Sequence, residues 1–374
     1  EILIGLVGSE MCIRDSTRPA EAKQTTKFIN HLKPKTTMTY LENSKQYTGS
    51  DLENIFFRPM LTGESAQDLG VRVLYNMPQP THVQLWDGQR NILQKFTSAG
   101  WAGGKAATKY EKTVNLNRVK AELGFSAANY FSMVYEKVSS LVNTHMDDLS
   151  GTELEQAETA LFKQALAENI RVTMWIGDTS AASGYNTFDG LLKRINGLVD
   201  DDGVYNFSYQ AAALEDPAYV VELFDKLWAG ADPRIPGLKA DDRLAYFVSS
   251  DIYRLYEKYL DAKGADAAYA DAMNGRRTLA YHGIPVVDVR LGSYLGATSF
   301  RQSFVMLTDR RNLVLAVNTA DMPGNEVRMW YNPDEMENRQ RAVFMAGTQI
   351  LDEALISFAS VSYTHLRAHE TDQY

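Results

Sequence analysis

Trp175-Ile-Gly-Asp178, nine residues, then Phe188-Asp-Gly190-Leu-Leu192 closes a long amphipathic run with a glycine-punctuated turn. Gly177 and Gly190 can take left-handed or otherwise crowded backbone angles, and Asp178 and Asp189 can hydrogen-bond neighbouring amides, so the chain can leave a helix and change direction here. On these residues alone two readings stand: a helix C-cap followed by an ordinary loop, or a structural hinge formed by Gly177, Asp178, Asp189 and Gly190.

Upstream of this turn, Ser150 and Glu153 form a capping box. The helix they start carries Leu154, Ala157, Leu161, Ala165 and Phe162 or Leu166 on its inner stripe, and from 151 to 175 it would run about 37 Å. Such a helix can act as a spine. Before it, Ser126 can cap another helix bearing Tyr130, Val134, Leu141 and Val142.

Further back, residues 71–73, 82–86 and 91–96 read as short strands, followed by Thr97-Ser-Ala-Gly-Trp-Ala-Gly-Gly-Lys105 and the alternating run Thr113–Val119. That pattern is a long hairpin with a glycine-rich tip at Trp101, Gly103, Gly104 and Lys105. A projecting two-stranded hairpin is marginal by itself and calls for a partner chain. Residues 17–65 are polar, with Lys23, Lys27, Lys33 and Lys35, and read as an extended arm that orders by lying across a neighbour.

Beyond Gly190 the texture is mixed α and β. A helix is expected over 217–228, a buried strand over 244–249, a helix carrying Ile252, Leu255, Tyr256, Tyr259 and Leu260, and an extended segment over 281–288, where Pro285 biases Ile284 away from helix. Strands are expected at 304–307, 312–317, 326–331 and 341–350.

The two ends stand apart from this pattern. Residues 2–15 and 361–374 can be encoded by reverse-complementary DNA, position i pairing with 376 minus i: ATG for Met11 reads back as CAT for His365, and TGT for Cys12 as ACA for Thr364. Protein chemistry has no use for such a relation, whereas a DNA adapter joined to both ends of a fragment produces it. Residues 1–16 and 361–374 are therefore set aside as processing scars.

The 374 residues hold 38 Lys and Arg and 47 Asp and Glu. Removing Arg14, Arg367, Glu1, Glu10, Asp15, Glu370 and Asp372 leaves 36 and 42, a net charge of −6. A mildly acidic body without a Lys/Arg run argues against a sequence-reading nucleic-acid protein, and no apolar run approaches the ~18 residues of a membrane span. Cys12, the single cysteine, lies in a scar, so no disulfide framework, zinc cluster or thiol nucleophile is expected. His31, His82, His145 and His282 show no i, i+4 ligand spacing. There is no P-loop, no Gly-x-Gly-x-x-Gly after a strand, no Gly-x-Ser-x-Gly and no His-Glu-x-x-His. The adjacent acids of Asp200-Asp-Asp-Gly203 do not alternate as calcium loops require, and Asp147-Asp148 and Asp241-Asp242 have the look of surface loops. No enzyme, cofactor or metal site is expected.

The order of arm, glycine-tipped hairpin, spine helix, Trp175-Ile-Gly-Asp-x9-Phe-Asp-Gly190, Tyr246-Phe-Val-Ser-Ser250, Tyr281-His-Gly-Ile-Pro-Val286, Asn312-Leu-Val-Leu315 and Met329-Trp-Tyr331 resembles the major capsid proteins of tailed bacteriophages, over most of residues 65–360. The resemblance implies an α+β fold of the Hong Kong 97 type: an N-terminal arm (17–65), an extended hairpin or E-loop with a peripheral domain and its spine helix (66–190), an axial domain (191–300) and returning peripheral strands (301–360). It also implies self-assembly into the hexamers and pentamers of an icosahedral shell around double-stranded DNA, which lies close without specific contact. Portal, scaffold and head-completion proteins would be the other partners, no membrane is involved, and assembly would take place in the host bacterial cytoplasm. Lys105, Lys109 and Lys112 lie in or near the hairpin tip, where some relatives form cross-links; that chemistry is not carried over. Two alternatives remain at this stage, an encapsulin-like compartment shell and, more distantly, a cytosolic hydrolase acting through Asp178, Asp189 or His282.

Overall fold

A computed structural model describes residues 45–58, 70–77, 80–86, 109–126, 153–199, 204–264, 279–292, 294, 303–319, 325–335 and 337–361. The hairpin tip with Trp101, Gly103, Gly104 and Lys105, the strand expected at 91–96, the helix expected after Ser126, the capping serine Ser150 and most of the arm lie outside these residues.

The first sheet is built on its longest strand, β13 (Glu337–Ile350), in which Asn338, Gln340, Ala342, Phe344 and Ala346 are buried and the intervening residues are partly exposed. This period-2 pattern fixes which face meets the core. One side of β13 pairs antiparallel with β5 (Asn117–Ser126). Its other side pairs antiparallel with β12 (Glu326–Asn332) and then β11 (Leu313–Asn318), which follow one another along the same line. Outside that line, β1 (Lys45–Tyr47) pairs with β12 and β2 (Arg72–Tyr75) runs parallel to β11.

The spine helix α1 (Glu153–Ile176) has 24 residues and extends about 36 Å. Phe162, Leu166 and Ile170, four residues apart, form its buried stripe, and from Arg171 to Gly177 it is buried on every side. Arg171 meets that burial by donating to Glu168 Oε1 at 2.7 Å and to the carbonyls of Val289 and Arg290 at 3.0 Å each. A buried guanidinium without such acceptors would be strongly destabilising.

The second sheet has the order β6 (Tyr205–Tyr209), β14 (Ile356–Val361), β10 (Phe304–Asp309), β7 (Leu244–Val248), β9 (Ile284–Asp288), β8 (Leu279–Tyr281). Every residue of β7, β10 and β14 is buried, because both faces are covered. Ala245, Phe247, Phe304, Met306, Ile356 and Phe358 join the core of the spine helix. Leu244, Tyr246, Val248, Val305, Leu307, Ala359 and Val361 join a second core with helices α3 (Tyr219–Ala229), α4 (Ile235–Lys239) and α5 (Ser250–Ala262). Trp175 couples the spine helix to this sheet, its ring centroid 5.7 Å from Phe247 and 6.3 Å from Phe304.

Four expectations change. The returning strands do not all join the spine-helix layer: β11, β12 and β13 lie in the first sheet and β10 and β14 in the second, where every residue of those two strands is buried and both faces are covered. The segment after Gly190 does not enter the second sheet at once. Leu191, Leu192 and Ile195 of α2 (Leu191–Val199) are buried in the spine-helix core, so the passage comes after Val199. The end of the arm is not loose, since Leu52, Phe56 and Phe57 are fully buried and Phe57 meets the Phe344 ring edge-on at 4.9 Å. The segment 281–288 is not one extended piece: His282 (φ 48°) and Gly283 (φ 77°) make the two-residue turn of a β8–β9 hairpin.

Candidate functional site

The glycines and aspartates between α1 and α2 come together into one joint. Gly190 N donates to Gly177 O at 2.8 Å, Gly177 N continues the helix to Thr173 O at 2.8 Å, and Asp178 N donates to Tyr185 O at 2.8 Å. Close approach, not a left-handed angle, demands glycine at both ends. A Cβ on Gly177 would lie 2.2 Å from Phe188 O, and one on Gly190 would lie 2.5 Å from Gly177 N and 2.6 Å from Trp175 O. The left-handed glycine of this loop is Gly184, φ +92°.

The two carboxylates share one cation. Lys193 Nζ lies 2.7 Å from Asp178 Oδ1 and 2.6 Å from Asp189 Oδ1. Asp178 also accepts from Ser180 N at 2.9 Å, and Asp189 from Thr179 N at 2.9 Å and Thr179 Oγ1 at 2.8 Å. The Lys193 ammonium and the Ser180 donors hold the Asp178 carboxyl down at about 2. Burial pushes Asp189 upward, but the bonds from Lys193 and Thr179 outweigh it and its pKa is lowered. The bond to Asp178, then that to Asp189, raises Lys193. Groups held this firmly in their charged forms tie the loop together and are poorly placed for proton transfer near neutrality. His282, the third residue of the hydrolase alternative, sits exposed on the β8–β9 turn with its ring against Tyr281, and no contact joins it to either aspartate. Among the described residues no group of three or more His, Cys, Asp or Glu side chains is arranged to hold a metal ion, and no helix is long and apolar enough to cross a membrane.

The joint is bonded to the root of the hairpin. Thr348 Oγ1 donates to Asp189 O at 2.5 Å, Arg194 Nε donates to Thr348 Oγ1 at 3.2 Å, and Asn117 Nδ2 donates to Thr187 O at 3.2 Å. Gln349 Nε2 reaches Thr113 O at 2.8 Å, and a Cβ on Gly347 would lie 2.2 Å from Asn115 O. Thr113 is near the end of β4 (Lys109–Val114), which pairs antiparallel with β3 (Thr81–Trp86) in a separate two-stranded sheet. Lys112 forms an ion pair with Glu353. The end of the spine helix, the end of β13 and the base of the hairpin therefore meet around residues 177–190.

The sequence alone singles out Gly177, Asp178, Asp189 and Gly190 in this joint, and it does not single out Lys193, Arg194, Thr348, Gln349 or Asn117. Lys193 carried a readable signal, its i, i+4 spacing from Asp189 on α2. The others come from distant segments, and no local pattern marks them.

No family model and no curated protein matches this chain. Among solved structures, the backbone is similar to a chain of the satellite phage P4 procapsid that includes the size determination (Sid) protein, with 10% identity, 81% of this chain and 97% of that chain covered, and a TM-score of 0.49. It is similar to the capsid of Myoviridae phage XM1, with 12% identity, coverage of 79% and 91%, and a TM-score of 0.44. It is also similar to the capsid of cyanophage P-SCSP1u, with 8% identity, coverage of 80% and 89%, and a TM-score of 0.43.

Proposed function

We propose that this chain is a major capsid protein of a tailed bacteriophage, a structural subunit that assembles with its own copies into an icosahedral head shell around double-stranded DNA. The observation that carries this reading is the β3–β4 hairpin, a two-stranded sheet with its own hydrogen bonds that pairs with no other sheet among the described residues. Two strands alone are marginal in water, so a hairpin built onto a braced root gains its stability from a neighbouring chain. The joint at 177–190 supplies the bracing. The conjunction of arm, hairpin, spine helix and two sheets in the order of the quoted motifs supports the same reading.

In this assignment the spine helix, α2 and the first sheet make the peripheral part, and residues 204–292 with β10 and β14 make the axial part. Residues 177–190 act as a fixed joint at the hairpin root, and Trp101, Gly103, Gly104 and Lys105 form the tip that meets the neighbouring subunit. The role is one of mutual contact without catalysis, and portal, scaffold and packaged DNA are the accompanying partners. Negative-stain microscopy of the purified chain without residues 1–16 tests the proposal. Closed shells are expected, and a monodisperse monomer at every concentration and salt condition would refute it.

A further inference from the structure

The corner where the chain passes between the two sheets carries four arginines. β10 of the second sheet leads into β11 of the first through a single 3-10 turn, Arg310–Asn312, and β2 packs against that turn. Arg72 is the first residue of β2. Arg310 N donates to Arg243 O at 2.9 Å, which brings the residue before β7 to the same place.

The acids nearby do not neutralise this corner. Asp309 is buried, and its Oδ1 accepts from Arg311 N at 2.8 Å, so it caps the turn. Asp241 Oδ2 lies 3.5 Å from Arg243 Nε, a long pair, and Asp242 is exposed. Among the described residues, no side chain forms a hydrogen bond or an ion pair with the side chain of Arg72, Arg310 or Arg311.

Arg72 and Arg311 are exposed, and water solvates them. Arg310 differs. Its stem lies across Gly70, where a Cβ would come within 3.0 Å of Cδ and 3.3 Å of Cγ, and Gly70 takes a φ of +81° that favours glycine. Its Nε is shut off from water with no acceptor, so the desolvation of that donor is uncompensated in the single chain. An anion arriving at this corner therefore meets a guanidinium that is already held in place, and little freedom is lost on binding.

We propose that Arg72, Arg310 and Arg311, with Arg243 as a fourth cation, form a contact site for the phosphodiester backbone of duplex DNA. Guanidinium forks match phosphate oxygens, and arginines spread over separate segments suit a run of phosphates better than one small anion. Such a contact reads no base sequence, so it needs none of the recognition elements that the sequence lacks. Duplex DNA as the anion at hand rests on the shell reading above, whereas the site itself stands on the arginines.

Fluorescence anisotropy of a labelled duplex of random sequence tests it, with the full chain kept dilute enough that light scattering shows no assembly. Arg72→Gln combined with Arg311→Gln is compared with Lys120→Gln combined with Arg254→Gln, which removes the same charge from exposed positions on β5 and α5. The first variant is expected to lose about tenfold or more in affinity at low salt, and the second little. In the first, the slope of log affinity against log salt should also fall by about 2. Arg310→Lys, which keeps the charge and loses the fork, is expected to bind more weakly with an unchanged salt slope. Equal losses in both double variants, or a parent chain that does not bind the duplex, would overturn the site. A first variant that binds DNA like the parent but no longer forms shells would also overturn it and make the corner a subunit contact. Binding lost in the first variant, in a chain whose parent never closes into shells, would uphold the site and count against the shell.

Discussion

Gly190 N donates to Gly177 O at 2.8 Å, so the two ends of a fourteen-residue excursion, from the last turn of the spine helix to the first of α2, are closed backbone to backbone. Nothing larger than hydrogen fits on either α-carbon.

Gly190→Ala is therefore expected to cost about 3 kcal/mol, in the range of overpacking a filled site. Gly184→Ala, in the same loop, has open space around it but a φ of +92°, and its cost is expected near ~1 kcal/mol from the backbone angle alone. Urea denaturation of both variants checks the ranking, and equal losses would show that close approach is not the governing cause.

Lys193→Met leaves Asp178 and Asp189 facing one another without their shared cation. Asp178 in the folded chain sits at about 2, below its ordinary 3.8. Its contribution is thus fully present above pH 4 and is lost as the pH falls toward 2. The variant is expected to be less stable by about 1 kcal/mol at pH 6, the size of a partly exposed pair, and the gap should narrow between pH 4 and pH 2. Thermal melts across that window check this, and a gap that widens with acid would contradict it.

Phe57 is fully buried against Phe344, although it belongs to a segment that reads as arm. Phe57→Ala is expected to cost about 3–5 kcal/mol, as large-to-small changes in a packed core do. Denaturant titration measures it, and a loss under ~1 kcal/mol would place the segment outside the core.

Residues 97–108 stand between β3 and β4 in sequence, and removing them leaves both strands and the joint in place. The subunit should keep its melting temperature and lose normal shell formation, followed by light scattering. Assembly at the unaltered rate would remove the hairpin from the contacts that matter.

The resemblance also organised the chain more coarsely than the packing does. It placed residues 191–199 with the axial domain and all of 301–360 with the peripheral one, following their order along the sequence. Their burial regroups them: Ile195 packs with the spine helix, and Phe304 and Val305 face opposite cores from adjacent positions in one strand. Val361, the first residue of the segment that reads as adapter, completes β14 opposite Tyr209.

Periodicity and turn chemistry are local properties, and they determined what the sequence alone could deliver. The 3.6-residue stripe announced the spine helix, the apolar runs announced β7 and β10, and Gly177, Asp178, Asp189 and Gly190 announced a change of direction. Why those glycines are needed was decided only in three dimensions, since the atoms across the loop that exclude a Cβ belong to Phe188 for Gly177 and to Trp175 and Gly177 for Gly190. The same holds for Thr348, Gln349 and Asn117, which brace the joint and α2 from segments 70 to 159 residues away in sequence. It holds as well for β6, which among the described residues pairs with β14 alone. A contact between distant segments depends on where the whole chain brings them, and no short stretch of sequence carries that information.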